Sequence, residues 1–556
     1  MPIHFPSLIV ELTKPHQTLS RTKQLHSLLI TTSHLPRDPF YATKITRFYA
    51  LNGNLCSARN LFDRTPQPSV FLWNSIIRAY ARAHKFYEAL FMYKRMLGTE
   101  IRPDNFTYAC LIRACHENFD IDSLRILHGG VVISGLGFDS VCCSALVTAY
   151  SKLNYVSEAS IVFARICEPD LVLWNSMISC YSYCGFWSKG LKLFNEMRGD
   201  GKQQPDGFSL VGLISGLMEF NLLGIGQGIH GLCLKSGFDF NAYVGGALVS
   251  MYARFKCMSS AYNVFSSLSQ PDLVAWSALI TGYCQSGDHT KAMMLYRNLT
   301  IEGRRADPIL IASILAAAAH LANLRPGVEI HGYVFRHGYE SNIMVSSALI
   351  NMYMKCGFVR WGIRVFDNTI NKNAVSYNSI ISGLGFNGIS ADAFKLFEEM
   401  LEQGLKPDES TFSALLCCCC HAGLVKDGWR IFKRMMEDFC IPASTEHYVH
   451  MVKLLGSAGQ LEEAYNFILS SKQPVDNGIW GALLSCCDIY GNTKLAEIVS
   501  QQLFDNEPRK GAYRVMLSNI YAGEGRWDDA KKTRDNLLNA GGRKIPGVSW
   551  IGGGQS

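Results

Sequence analysis

The sequence predicts an all-α protein built as a solenoid of helix-turn-helix repeats, and three observations predict it. Small residues recur at Ala58, Ala89, Ala159, Gly190, Gly226, Ala261, Ala292, Gly327, Gly362, Ala393, Gly428, Ala464, Ala496 and Ala530, at gaps cycling through about 31, 35 and 35 residues. The apolar residues around them fall at helical spacing. No structureless linker interrupts the series. Each small side chain marks a place where two helices must approach closely, and only Leu124, between Ala89 and Ala159, breaks the ladder.

One unit shows the logic. In 70–104, Trp73, Ile76, Ile77 and Tyr80 form the buried stripe of a first helix, and Phe86, Ala89, Leu90 and Tyr93 form that of a second. Gly98 and Pro103 end the second helix, one permissive in the closing turn and the other unable to continue it. Ala89 is expected to let the two helices of this antiparallel pair approach. The same frame tiles 39–69, 70–104, 105–139, 140–170, 171–206, 207–241, 242–272, 273–307, 308–342, 343–373, 374–408, 409–444 and 445–476. A degenerate unit is expected before them, from about His4, and two variant pairs after them, from Asn477 and from Gly511. The expected organisation is therefore an N-terminal segment 1–38, an array 39–476 of about 13 repeats, and a closing region 477–556.

Composition narrows the classes. Across 556 residues, 48% hydrophobic and 18% charged content supplies a packed interior and rules against a disordered chain. The longest apolar run, 309–322, is interrupted by Ser313 and His320 and falls short of a bilayer span, so no membrane partner is expected. A net charge of +7 on so long a chain means that any polyanion must be held by organised sites as well as by bulk charge. The nineteen cysteines, odd in number and including the neighbours Cys142–Cys143 and Cys486–Cys487, read as buried thiols and not as a disulfide framework. Residues 1–37, rich in Ser and Thr with Glu11 as their only acid, resemble an organellar transit peptide, although 23–30 already has the pattern of a repeat helix.

With the units laid out, the chain is identified as resembling the plant pentatricopeptide repeat proteins. The alternation of 35, 35 and 31 residues, with cores such as LVLWNSMISCYSYCGFWSKGLKLFNEM and AVSYNSIISGLGFNGISADAFKLFEEMLEQGLKPD, is similar to the subtype whose units come in P, L and S forms. The closing stretches WGALLSCCDIYGNTKLAEIVSQQL, YRVMLSNIYAGEGRWDDAKKTRDNLL and PGVSWI resemble the E1 and E2 motifs of RNA editing factors. The resemblance implies a right-handed superhelix. Tetratricopeptide repeats, the competing solenoid, have uniform 34-residue units and imply peptide binding; their Trp, Leu, Gly and Tyr pattern does not recur here.

The resemblance further implies that each unit reads one base of single-stranded RNA through the residue one turn into its first helix and the last residue of the unit. The couples are Thr43 with Ser69, Asn74 with Asp104, Ser144 with Asp170, Asn175 with Asp206, Ser277 with Asp307, Ser347 with Asn373, and Asn378 with Asp408. The L units carry Ala109, Val211 and Ala312 at the first place, which have no polar side chain to offer. The aspartates have a second reading, because each sits just before a helix where Asp is a preferred N-cap. Capping leaves unexplained why Asn or Ser follows the aromatic at Trp73, Trp174, Trp276 and Tyr377. With the family's preferences (Asn–Asp for U, Ser–Asp for G, Ser–Asn for A), units 70–104 to 445–476 spell 5′-UnGUnnGnAUnn-3′, with the edited C a few bases downstream.

Second-position residues such as Phe71, Phe106, Phe208, Tyr243 and Ile309 are apolar. They either wedge between bases or pack at the helix entrance. Arg82, Lys152, Arg254 and Lys355 end first helices and meet either phosphate or the helix dipole.

No enzyme is expected. The family's deaminase domain needs His-x-Glu and a later Cys-x-x-Cys around zinc, and none of the fifteen histidines has Glu two residues on. The run Cys417–Cys420 with His421 is the one formal metal candidate, but consecutive helical residues diverge and do not share one tetrahedral ion, so neither metal nor cofactor is expected. Gly552 stands after Trp550-Ile551, where family members often have an acid. The expected role is recognition of a C-to-U editing site in an organelle, the mitochondrion first and the chloroplast as alternative, with a DYW-type deaminase protein recruited in trans and organellar editing cofactors as further partners. The alternatives are RNA stability, splicing or translation, and then a protein-binding scaffold.

Overall fold

The computed structural model describes residues 17–32, 39–201, 203–238, 241–471, 476–507 and 510–539. These form 31 α-helices and one 3-10 turn, with no strand among the described residues. The expected features at His4 and at Trp550–Gly552, and residues 1–16 and 33–37 of the transit-like segment, lie outside them.

Every unit start read from the sequence, from Pro39 through Val70, Asn105 and Ser140 to Asn477 and Gly511, is the first residue of a helix. The local cause is visible at the preceding residue. Ser69, Asp104, Asp139, Asp170, Asp206, Asp307, Asn373 and Asp408 each accept the N–H of the third helical residue, satisfying a donor the helix leaves open. Within the units other than 207–241, the two helices are joined through a residue in the left-handed region, Gly185 (φ 80°) in one case and Asn154 (φ 66°) in another.

The chain divides into two compact units at Gly282/Tyr283, inside the helix Leu273–Ser286 and not in a linker. In each, the first helices other than Leu273–Ser286, which the division crosses, pack on their own partner, and successive ones pack on each other. Successive second helices meet through long side chains, Arg95–Asp63 at 2.9 Å in the first unit and Arg434–Glu398 at 2.6 Å in the second. First helices are thus the tightly spaced inner layer of each stack.

Aromatic pairs fix the rotation of these helices. Phe62 meets Trp73 and Phe163 meets Trp174 edge to face, at 4.6 and 5.2 Å, and Phe366 meets Tyr377 at 5.1 Å, each contributing roughly 0.5–1.5 kcal/mol beyond its buried area. A second set, absent from the sequence reading, joins His26 to Tyr49, His128 to Tyr150, His230 to Tyr252 and His331 to Tyr353, ring nitrogen to hydroxyl at 2.8–3.0 Å.

The small residues act as expected in kind, with one correction to where. Gly190 faces Ile178 and Ser182 of its own unit, and a Cβ on Gly362 would lie 2.8 Å from Met354 of its own first helix. At Gly226, Gly327 and Gly428 the close neighbour is instead Met251, Met352 or Leu454, on the first helix of the following unit. A bulky residue from the next helix fills the space there, so the glycine serves stacking between units.

Candidate nucleic-acid interface

The burial of Trp73, Trp174 and Tyr377 turns the next residue away from the core, leaving Asn74, Asn175 and Asn378 part-buried. Each amide meets the carboxylate that ends its unit. Asn74 Nδ2 donates to both oxygens of Asp104 at 2.9 and 3.1 Å, Asn175 Nδ2 to Asp206 at 3.0 Å, and Asn378 Nδ2 to Asp408 at 3.0 Å. The same aspartates cap the following helices, so capping and membership of a couple are compatible in one side chain.

A third side chain completes two of these couples, and the sequence reading missed it. Thr107 accepts the Asp104 N–H at 3.2 Å and its hydroxyl reaches Asn74 Oδ1 at 2.5 Å and Asp104 Oδ1 at 2.8 Å. Ser209 does the same for Asn175 and Asp206 at 2.5 and 3.0 Å. Thr411 bonds Asp408, at 2.8 Å through its N–H and 2.9 Å through its hydroxyl, while Asn378 Oδ1 is buried without a partner. Burial pushes the Asp408 carboxyl up, but the donors from Thr411 and Asn378 outweigh it and hold the group below the usual carboxylate value. The signal was in the sequence: Asp-x-x-Thr or Asp-x-x-Ser follows each Asn unit, whereas Asp170, Asp272 and Asp307 are followed at that spacing by Leu173, Ala275 and Leu310.

The serine couples are built differently. Ser144 donates to its own helix at Val141 O, 3.2 Å, and Asp170 is engaged by the Ser140 hydroxyl and, at 2.8 Å, by the Leu173 N–H. Ser347 is buried with no partner for its hydroxyl among the described residues, and Asn373 accepts the Ser376 N–H at 3.1 Å. Ser277 and Asp307 fall on either side of the division between the compact units; the Ser277 hydroxyl is buried with no partner among the described residues, and Asp307 caps Leu310 at 2.8 Å. In the L unit 105–139, which has Ala109 at the fifth place, Asn105 reaches Asp139 at 3.0 Å.

The second-position side chains left open by the sequence are outside the core. Phe71, Phe106, Val141, Val172, Phe208, Tyr243, Val274, Ile309, Met344 and Val375 are all between 39% and 69% exposed, so entrance packing does not account for them. Phe71 and Phe106 share a cavity of about 480 Å³ with Asn74. Phe208 and Tyr243, from consecutive units, lie 6.1 Å apart with tilted rings.

The first-helix cations divide. Lys152 lies 3.9 Å over the Tyr183 ring, Arg254 reaches Ser215 O at 3.5 Å with burial depressing its basicity, and Arg82 lines the Asn74 cavity. All nineteen cysteines are free, and burial pushes the thiols of Cys417 and Cys418 up to about 11 and that of Cys419 to about 12, which keeps them protonated. Cys418 instead provides the surface against which Gly385 closes; a Cβ there would sit 2.8 Å away. Among the described residues no group of three or more His, Cys, Asp or Glu could hold a metal, and no helix is long and apolar enough to cross a membrane.

This repeated set of polar couples, on a stack of helix pairs of alternating length, defines a helical-repeat protein with candidate contacts in the units that carry a couple. Comparison with known proteins then places it. The chain belongs to the pentatricopeptide repeat family. The PPR repeat family model matches 68–117 and 372–421, the PPR repeat matches 172–201, 274–303 and 410–438, and the E motif matches 490–552. A pentatricopeptide repeat-containing protein of Arabidopsis thaliana is 51% identical over 545 residues, 98% of each chain. Another from the same plant, named mitochondrial, is 33% identical over 539 residues, 96% of this chain and 77% of its own. The solved structure of the maize protein PPR10 in complex with an 18-nt psaJ RNA element is 15% identical over 91% of this chain and 85% of that one, with a TM-score of 0.46.

Proposed function

We propose that the protein binds single-stranded RNA sequence-specifically and addresses a C-to-U editing site in an organelle. The observation that carries the reading is the recurrence of one construction at Asn74–Asp104, Asn175–Asp206 and Asn378–Asp408. Each amide spends one N–H on the aspartate and keeps another, and Asn74 and Asn175 also keep a carbonyl lone pair beside the bond from Thr107 or Ser209, whereas Asn378 Oδ1 is buried. That donor beside an acceptor is the complement of uracil, which offers N3–H next to a carbonyl. Ser144 itself makes no bond to the Asp170 carboxylate, which Ser140 and the Leu173 N–H engage, and the units of Ser144 and Ser277 are both assigned to guanine. Ser347 with Asn373 is assigned to adenine. Exposed second-position side chains insert between neighbouring bases, a contact every base accepts.

The E motif match supports the editing role, and the relatives' organellar names support the compartment, mitochondrial in some and chloroplastic in others. In this reading the chain is not the catalyst: a DYW-type deaminase acts in trans, with organellar editing cofactors as additional partners. The test is binding to an RNA containing 5′-UnGUnnGnAUnn-3′ against a shuffled RNA of equal composition. Preference for the ordered string is expected, and equal binding contradicts the code. Loss of the protein is expected to abolish conversion at a C a few bases downstream of such a string, and full editing at every organellar C in its absence contradicts the editing role.

A further inference from the structure

Base-reading couples do not account for the positive charge at the start of the array. The ninth residue of the first helix is Arg47, Arg78 and Arg113 in the units beginning at Pro39, Val70 and Asn105; in the next four units it is Thr148, Ser179, Ser215 and Ser250. Three arginines in consecutive turns of the stack thus give way to hydroxyls.

The cavity that holds Asn74 shows where they lead. Its fifteen lining residues include Lys44, Arg47, Arg78 and Arg82 and no acid. None of these four forms an ion pair among the described residues, whereas Arg113 is answered by Glu117 at 2.8 Å in the neighbouring cleft of about 370 Å³ that Arg78 and Arg82 also line. Lys44 lies 5.4 Å over the Phe40 ring. Like charges gathered in one concavity repel and together attract an anion into it. The exposed rings of Phe71 and Phe106 border the same space, at 69% and 54% exposure, so an anion there sits beside a stacking platform.

We propose that the units beginning at Pro39 and Val70 form a phosphate anchor, in which Arg47, Arg78 and Arg82 hold phosphodiesters of the RNA at the start of the array without regard to base. The inference rests on the RNA-binding reading above and adds a division of labour to it: affinity and salt sensitivity concentrate at this end, discrimination in the Asn and Ser couples. The three arginines reach phosphates while Asn74 is left to the base.

The test is the triple substitution R47Q/R78Q/R82Q, with R47K/R78K/R82K as its conservative counterpart and circular dichroism confirming helix content in both. Affinity for the ordered and shuffled RNAs is measured from 50 to 200 mM KCl. Each phosphate contact to a single strand contributes about 0.7 to the slope of log affinity against log salt, so the Gln variant is expected to lose about 2 in slope and about tenfold or more in affinity at 50 mM. The loss is expected to be equal for both RNAs, and the Lys variant is expected to keep the slope. An unchanged slope in the Gln variant, or a loss confined to the ordered RNA, overturns the anchor. A wild-type protein that binds both RNAs alike while the Gln variant still loses slope overturns base reading and supports the anchor; a wild-type protein that binds neither overturns both.

Discussion

The hydroxyl of Thr107 sets the most demanding prediction, because replacing Thr107 by Val keeps the shape and removes only the bonds. Thr107 is fully buried, accepts the Asp104 N–H at 3.2 Å and donates its single proton toward Asn74 Oδ1 at 2.5 Å or Asp104 Oδ1 at 2.8 Å. Loss of that reciprocal cap is expected to destabilise the protein by about 1 kcal/mol, read as a lower urea midpoint at constant slope. A second effect follows from the amide. Turned over, Asn74 would present its donor and acceptor in reverse order, which matches cytosine, whose N4–H lies where uracil has a carbonyl. In the native protein two contacts oppose the flip, Asp104 on the nitrogen and Thr107 on the oxygen. Removing one, at about 1 kcal/mol, is expected to lower the preference for U over C at the matching base about fivefold while U affinity itself changes little. Fluorescence anisotropy with RNAs differing at that base measures the ratio. A fall in the urea midpoint with an unaltered U-to-C ratio would mean that Thr107 is only a cap and would refute the orienting role.

The remaining predictions address packing, stacking and pH. Ala89 is fully buried, so Ala89→Leu overfills the contact at about 1–3 kcal/mol, and an unchanged unfolding free energy would remove the reason for the small-residue ladder. The double change F71A/F106A is expected to weaken ordered and shuffled RNA alike, by about 1–3 kcal/mol per lost stack, with helix content unchanged; a change in base preference instead would show that these rings read sequence. His26, His128 and His331 are held below 6.5 by burial, with Arg64 adding to the effect at His26. The native state therefore binds fewer protons than the unfolded chain just below pH 6.5, so stability from these groups is complete above 6.5 and is lost as pH falls through their native values. Urea midpoints are expected to drop between pH 7.5 and 5.5, and by less in H128Q/H331Q; equal drops would assign the sensitivity elsewhere.

Local rules carried most of the fold into the sequence. Periodicity and caps placed the first residue of each first helix because Asp104, Asp170 and Asp408 terminate the preceding unit and satisfy the next helix at once. What stayed hidden was contact between units. The partner of Gly226 is Met251, and nothing in the window around either residue states which neighbour fills the gap. The His–Tyr pairs were hidden for the same reason, although His128, His230 and His331 recur at the span of a full three-unit cycle. In the site, the Asn and Asp positions were legible as a recurring couple, while the Thr107 and Ser209 hydroxyls looked like ordinary first-turn residues until they faced the amide of the preceding unit. Ser144 shows the limit from the other side: its spacing from Asp170 matches that of a couple, yet the nearer Ser140 takes the carboxylate.

The central claim is that one side chain in one unit chooses one base, and Asn175→Ser with Asp206 retained tests it most directly. Competition binding with four RNAs that differ only at the fourth place of 5′-UnGUnnGnAUnn-3′ is expected to show U preferred by the wild type and G by the variant, with preferences at every other place intact. A variant that still prefers U there, or that weakens on all four RNAs alike, would contradict the account.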